Sequence, residues 1–162
     1  MITEYLLLVD RIRQELADLE YVVERSERGM RASQNNAEDQ DLYIDAVALN
    51  LHDFYTGCER IFQQIGSIVD GRIPGTQNWH RELLLQMQED VADTRPPVLT
   101  EETTELLDEF LRFRHVVRNI YAFQFDPERI DRLVNMMRPA LEYLQADLLI
   151  FSSFLQQVAR DD

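Results

Sequence analysis

The sequence contains no lysine, because all sixteen of its basic residues are arginine. It also has one cysteine, Cys58, and only five glycines and five prolines. A single cysteine excludes an intrachain disulfide, and the missing lysine excludes a Walker-type phosphate loop. So little glycine and proline does not fit a loop-rich all-β fold. No apolar run approaches the roughly 20 residues of a spanning helix, so we expect a soluble, cytoplasmic protein without a membrane segment.

The size and composition fit one domain covering residues 1–162. Hydrophobic residues make up 45% of the chain, which is enough for a core of its own. The formal net charge of -14 repels polyanions. Broad, sequence-independent binding to nucleic acid or to anionic lipid is therefore not expected.

Apolar residues recur at spacings of three and four along most of the chain, which is typical of packed helices. Gly57 and Gly66 fall inside the second periodic segment, where each costs about 1 kcal/mol of helix stability, so we expect a close neighbour there. The pattern predicts an all-α fold, an up-down bundle of four to five helices. The predicted helices cover about 2–32, 41–70, 79–93, 101–123 and 127–160.

Several residues mark the predicted helix ends. Gly71 suits the left-handed position after a helix, and Thr100 suits an N-cap. Asp126 followed by Pro127 combines a capping acid with proline at the first helical position. Pro139 lies inside the last helix, and we expect it to kink or break that helix.

Signatures of metal or cofactor chemistry are missing. A di-iron bundle needs a glutamate three residues before an inward histidine, and none of His52, His80 and His115 has one. No base flanks Cys58, so we interpret it as a small buried hydrophobe. We predict no metal and no cofactor.

Positive charge is concentrated in one part of this acidic chain. Residues 112–138 contain six arginines and three acids, a local charge of +3 that leaves -14 - 3 = -17 for the rest. Such a spot could bind one phosphate or a short strand, and Arg112, Arg114 and Arg118 are the predicted anion- or RNA-binding residues.

Helical geometry groups these residues further. At 100° per residue, Arg114, Arg118 and Tyr121 fall within about 60° of one another beside the apolar stripe. His115 and Asn119 share a second stripe with Arg112. Arginines at the edge of a core must pair with carboxylates of their own chain, with a partner chain or with a bound anion.

The segment from Arg114 to Asn119, followed by Tyr121, resembles the Arg-x4-His-x-Tyr motif of HepT-like toxins, a branch of the HEPN superfamily. In that family a polar residue commonly follows the motif arginine, as His115 does here. The motif often leads into a segment like residues 125–127, which opens the last helix. The specific match covers about fifteen residues, and the predicted helices match over most of the chain.

The resemblance implies a dimeric helical bundle in which two motifs face each other. Family members with the full motif are metal-independent ribonucleases, whose histidine moves protons while the arginine steadies the phosphate. It also implies a small nucleotidyltransferase antitoxin, which in some pairs attaches AMP to the motif tyrosine. Here that position is Tyr121.

The chain departs from the motif at Asn119, which stands where the family has histidine and cannot transfer protons near neutral pH. Either the protein is not a ribonuclease, or His115 has taken over, so the candidate catalytic residues are Arg114, His115 and Asn119. Our first hypothesis is a HepT-like toxin–antitoxin component that binds RNA or a nucleotidyltransferase. The second is a non-enzymatic helical interaction module whose motif arginines form structural ion pairs.

Overall fold

A computed structural model describes residues 2–119, 121 and 124–162. The described part of the chain forms five α-helices, and a π-helical segment, Gly66–Asp70, continues the second of them. The fold is therefore an all-α bundle, as the sequence predicts. The helices are α1 (Ile2–Asn35), α2 (Gln40–Ile65), α3 (Trp79–Gln86), α4 (Glu101–Asn119) and α5 (Pro127–Asp161).

The two helices α1 and α2 run antiparallel and touch at glycines. A Cβ atom at Gly57 would lie 2.6 Å from Cδ2 of Leu19, and one at Gly29 would lie 2.7 Å from Cγ2 of Val47. A methyl group of the facing helix therefore packs against each glycine, in the space that a Cβ atom would need. The predicted close packing at Gly57 is confirmed.

Arg138 joins α5 to α1 on the outside of the bundle. Its guanidinium donates to Glu20 (Nη1–Oε1, 2.9 Å) and to Glu27 (Nη2–Oε1, 2.5 Å). The hydrogen bond from Arg138 lowers the pKa of Glu27 below its usual value. One of the six arginines of the basic stretch is therefore neutralised by α1.

A buried ion pair connects the loop before α4 to the segment that follows α2. Arg95, just before α4, bonds Asp70 at the end of the π-helical segment (Nη2–Oδ2, 2.8 Å), and both side chains are fully buried. The start of α4 therefore lies at the C-terminal end of α2, and the two helices run in opposite directions. Their aromatic contact is Phe54 against Phe110, with ring centroids 5.0 Å apart.

The predicted helix-end signals are confirmed at three positions. Gly71 adopts a left-handed conformation (φ 69°) after the π-helical segment. The hydroxyl of Thr100 accepts the backbone N–H of Thr103 at 3.3 Å. Asp126 caps α5 by accepting the N–H of Glu128 at 3.0 Å.

The predicted end of the third helix is wrong. The third helix ends at Gln86 rather than near residue 93, because the carbonyl of Met87 accepts the N–H groups of Val98 and Leu99 instead of continuing a helix. Of the kink or break predicted at Pro139, the break does not occur, because α5 runs through that residue. Pro139 is exposed, so the carbonyl that it leaves without a helical partner lies away from the core.

Cys58 is a buried free thiol on α2, and burial raises its pKa above the usual range.

No helix in the described part of the chain combines the length and apolar character that a membrane crossing needs. Among the same residues, no group of three or more His, Cys, Asp or Glu side chains is placed to hold a metal ion.

Candidate anion-binding site

The residue that anchors this region is Glu59 of α2, which faces both α3 and α4. Its Oε1 accepts a hydrogen bond from Nη1 of Arg114 at 2.8 Å, and its Oε2 lies 2.6 Å from Nδ1 of His80. Arg114 Nη1 and His80 Nδ1 are 3.3 Å apart. The Glu59 side chain is 5% exposed, and those of His80 and Arg114 are 14% and 12% exposed. This Glu59–His80–Arg114 cluster is therefore an interior feature.

The cluster implies one arrangement of protons. Arg114 is always charged and can only donate, so it uses Glu59 as acceptor. The 2.6 Å contact of His80 with the carboxylate is best satisfied when Nδ1 carries a proton and donates to Glu59. Two donors then share one carboxylate, and the guanidinium of Arg114 is fixed in place.

Helix packing explains why these three residues meet. Long side chains on a helix point back toward its N-terminus, and α2 and α4 run in opposite directions. Glu59 and Arg114 therefore reach toward each other beside the Phe54–Phe110 contact. His80 comes in from α3, where its ring stacks on Trp79 with a centroid distance of 3.6 Å.

The other predicted arginines behave differently from Arg114. Arg112 is 60% exposed, but its guanidinium bonds Asp108 at 2.9 Å one turn earlier on α4. Asp108 also pairs with Arg81 of α3 at 2.6 Å. Arg118 is exposed, and among the described residues it forms no ion pair. Of the three arginines predicted to bind an anion, Arg118 alone is both exposed and uncompensated within the described chain.

The side chains of His115 and Asn119 lie on the solvent side of α4. Both residues are exposed, and Nδ2 of Asn119 donates to the carbonyl oxygen of His115 at 2.7 Å. The amide of Asn119 thus bonds to the last turn of its own helix. The structure does not bring His115 into the Glu59–His80–Arg114 cluster.

Tyr121 is not on the helical face where the sequence places it. The described part of α4 ends at Asn119, and Tyr121 lies outside the helix, so the 100° spacing does not apply to it. Its backbone exchanges hydrogen bonds with Gln124, and its side chain is 72% exposed. The other residues of the predicted helix end, 120 and 122–123, lie outside the described residues.

His52 of α2 is a site residue that the sequence reasoning missed. Its side chain is 25% exposed, and Nδ1 lies 3.9 Å from Oδ1 of Asp53. Burial lowers the pKa of His52, the charges of Arg114 and Arg118 lower it further, and Asp53 opposes them. His52 therefore lies within electrostatic reach of both motif arginines.

A family model described as HepT-like protein matches residues 46–155, about two thirds of the chain. This protein belongs to the HepT-like family. Membership places it in the HEPN superfamily. Comparisons with curated proteins and with solved structures gave no match.

For this HepT-like protein, the match covers all of the site residues described above. His52 and Glu59 lie within residues 46–155, as do α3 and the whole of α4. Glu59 and His80 are 55 and 34 residues from Arg114. A search confined to one motif segment could not find them.

Proposed function

We propose that this HepT-like protein is a toxin–antitoxin component that binds single-stranded RNA at the C-terminal end of α4. The observation that carries the proposal is the contrast between Arg118 and Arg114. Arg118 is exposed and without an ion pair among the described residues, whereas Arg114 is fixed behind it by Glu59. Guanidinium groups are well suited to phosphate.

The charge of the molecule limits this binding to a small site. A net charge of -14 opposes a long polyanion, so contact must be confined to one or two phosphates near Arg118. For single strands, the logarithm of the affinity falls with the logarithm of salt concentration by about 0.7 for each phosphate neutralised. We expect a slope of about -0.7 to -1.4.

The test is fluorescence anisotropy of a labelled ten-nucleotide single-stranded RNA across a salt series. The variant is Arg118→Gln, and the matched control is Arg160→Gln, an exposed arginine at the far end of α5. We expect Arg118→Gln to weaken binding at least tenfold and Arg160→Gln to leave it within twofold. Equal weakening by both variants would show that only net charge matters and would remove the proposed site.

Ribonuclease activity is the stronger form of the proposal. Asn119 cannot accept a proton, so cleavage requires an imidazole elsewhere. The assay is incubation of mixed RNA in EDTA with the unmutated protein and with Arg114→Ala and His115→Ala. Cleavage lost in both variants would assign His115 as the replacement. No cleavage by the unmutated protein, at concentrations where light scattering finds a dimer, would leave Asn119 as the mark of a non-catalytic HepT-like protein.

Dimerisation and a nucleotidyltransferase partner complete the proposal. Tyr121 is 72% exposed, which suits an acceptor of AMP. Light scattering coupled to size exclusion would measure the oligomeric state. Mass spectrometry after incubation with a cognate nucleotidyltransferase and ATP would find AMP on Tyr121, and modification of another tyrosine instead would remove Tyr121 from the proposal.

A second candidate function is a non-enzymatic helical interaction module. The buried Glu59–His80–Arg114 cluster favours it, because a motif arginine that pairs with its own chain is accounted for structurally. The two proposals differ at Arg118. An interaction module predicts that Arg118→Gln weakens binding to a protein partner and has no effect on RNA.

A further inference from the structure

We infer that His52 is the imidazole of this site, a contact for the same phosphate that Arg118 binds. The inference rests on the proposed RNA binding and adds to it a residue outside the motif segment. In this arrangement the phosphate lies between α2 and α4 at the C-terminal end of α4. Asn119 stands at the motif position where the family has histidine, and His52 supplies the imidazole that Asn119 lacks.

The geometry follows from the Glu59–Arg114 pair, which fixes α2 against α4. His52 precedes Glu59 by seven residues, about two helical turns or 10 Å, and so lies on the same side of α2. Arg118 follows Arg114 by four residues, about 6 Å along α4. Because the helices run in opposite directions, both residues are displaced from the pair toward the same end.

The other two histidines are placed for different roles. His80 is held in the interior by Glu59 and stacks on Trp79. His115 follows Arg114 by one residue, about 100° further around α4, and is exposed to solvent. By its spacing from Glu59, His52 lies on the side of α2 that faces α4, and its side chain is 25% exposed.

The charges around His52 explain why an anion would bind there. Burial and the charges of Arg114 and Arg118 on α4 disfavour a proton on the ring, and the neighbouring Asp53 on α2 favours one. A phosphate between the arginines and His52 would offset the electrostatic repulsion between the arginines and the protonated ring. Phosphate binding and protonation of His52 are then linked, so that each promotes the other.

The experiment is an NMR titration of the three histidine Cε1–H signals in the unmutated protein. The probe is a six-nucleotide oligouridylate with 2′-O-methyl groups, which cannot be cleaved through its 2′ oxygens. The His52 signal is assigned by its loss in His52→Gln. We expect the oligonucleotide to raise the pKa of His52 by about one, which corresponds to about tenfold tighter binding to the protonated form.

Two controls connect this result to the site. In Arg118→Gln the pKa of His52 should no longer respond to the probe, whereas in His115→Gln the response should persist. Anisotropy with the same probe should show tighter binding at pH 5.5 than at pH 8 for the unmutated protein. In His52→Gln this dependence on pH should be lost.

The outcomes separate the inference from the proposed function. If the probe binds through Arg118 but only the His115 signal responds, His52 is not part of the site and the RNA-binding proposal stands. If the probe does not bind at all, both fail. A change at His52 that survives in Arg118→Gln would place the phosphate elsewhere and would also overturn the inference.

Discussion

Glu59→Gln removes a negative charge shared by two donors in the protein interior. Arg114 would keep its charge, with a side chain only 12% exposed, and would lose the carboxylate 2.8 Å away. Breaking a buried ion pair by removing one partner costs about 3–5 kcal/mol, because the remaining charge is uncompensated. For a domain of this size, that loss lowers the melting temperature by about 6–20 °C.

The single tryptophan makes the measurement direct. Trp79 stacks on His80 and so reports on the cluster, while far-UV circular dichroism reports on all five helices. Urea unfolding followed by both signals gives the free energy of unfolding and tests whether the transition is two-state. Glu38→Gln, at an exposed loop position, is the matched control and should stay within about 0.5 kcal/mol.

Two further variants separate the contributions of Glu59 and Arg114 to the free energy of unfolding. Arg114→Met should cost less than Glu59→Gln, because the carboxylate keeps His80 as a partner. The double variant Glu59→Leu with Arg114→Met exchanges the pair for apolar groups and should be more stable than Glu59→Gln alone. A loss below about 1 kcal/mol for Glu59→Gln would refute the buried pair and with it the fixed orientation of Arg114.

Three other predictions concern packing, a second ion pair and pH. Gly57→Ala should destabilise the protein by up to about 2 kcal/mol in thermal unfolding, because overpacking against the Leu19 side chain costs about 1–3 kcal/mol while replacing a glycine inside a helix regains about 1 kcal/mol. Gly75→Ala has open space and should be neutral or slightly stabilising. Asp70→Asn should cost about 3–5 kcal/mol in urea unfolding, since it leaves the charge of the fully buried Arg95 side chain uncompensated; a loss near zero would contradict that burial. The lowered pKa of His52 means that the unfolded state binds more protons than the folded state as pH falls below about 6.5. His52→Gln should therefore lose less stability than the unmutated protein between pH 7 and pH 5, and identical curves would exclude a contribution from this group.

Local sequence signals predicted the helices and several of their ends. Asp126 with Pro127, Thr100 and Gly71 each act on their own backbone, so a few residues are enough to recognise them. The end of α3 depends instead on Met87, whose carbonyl is taken by a segment about eleven residues later. The apolar periodicity of α3 therefore cannot predict where that helix ends.

The site could be predicted only along a single helix. Arg114 and Arg118 are one turn apart, so their spacing predicts a shared side of α4, but it does not predict that Arg114 pairs in the interior while Arg118 is exposed. Glu59 and His52 reach them through the packing of α2 against α4, which one sequence does not encode as a local pattern. Arg114 pairs with an acid of its own chain, as the interaction-module hypothesis expects, whereas Arg118 is exposed, as the anion-binding hypothesis expects.

The residues matched by the family model are fewer than the residues that form the helical bundle. The family model starts at residue 46, after the whole of α1. Yet α1 supplies Leu19 to the gap at Gly57 and two acids to Arg138. A fragment trimmed to residues 46–155 would bare the α1-facing side of α2 and α5 to water and would be prone to aggregate. The experiments above therefore call for protein that retains α1.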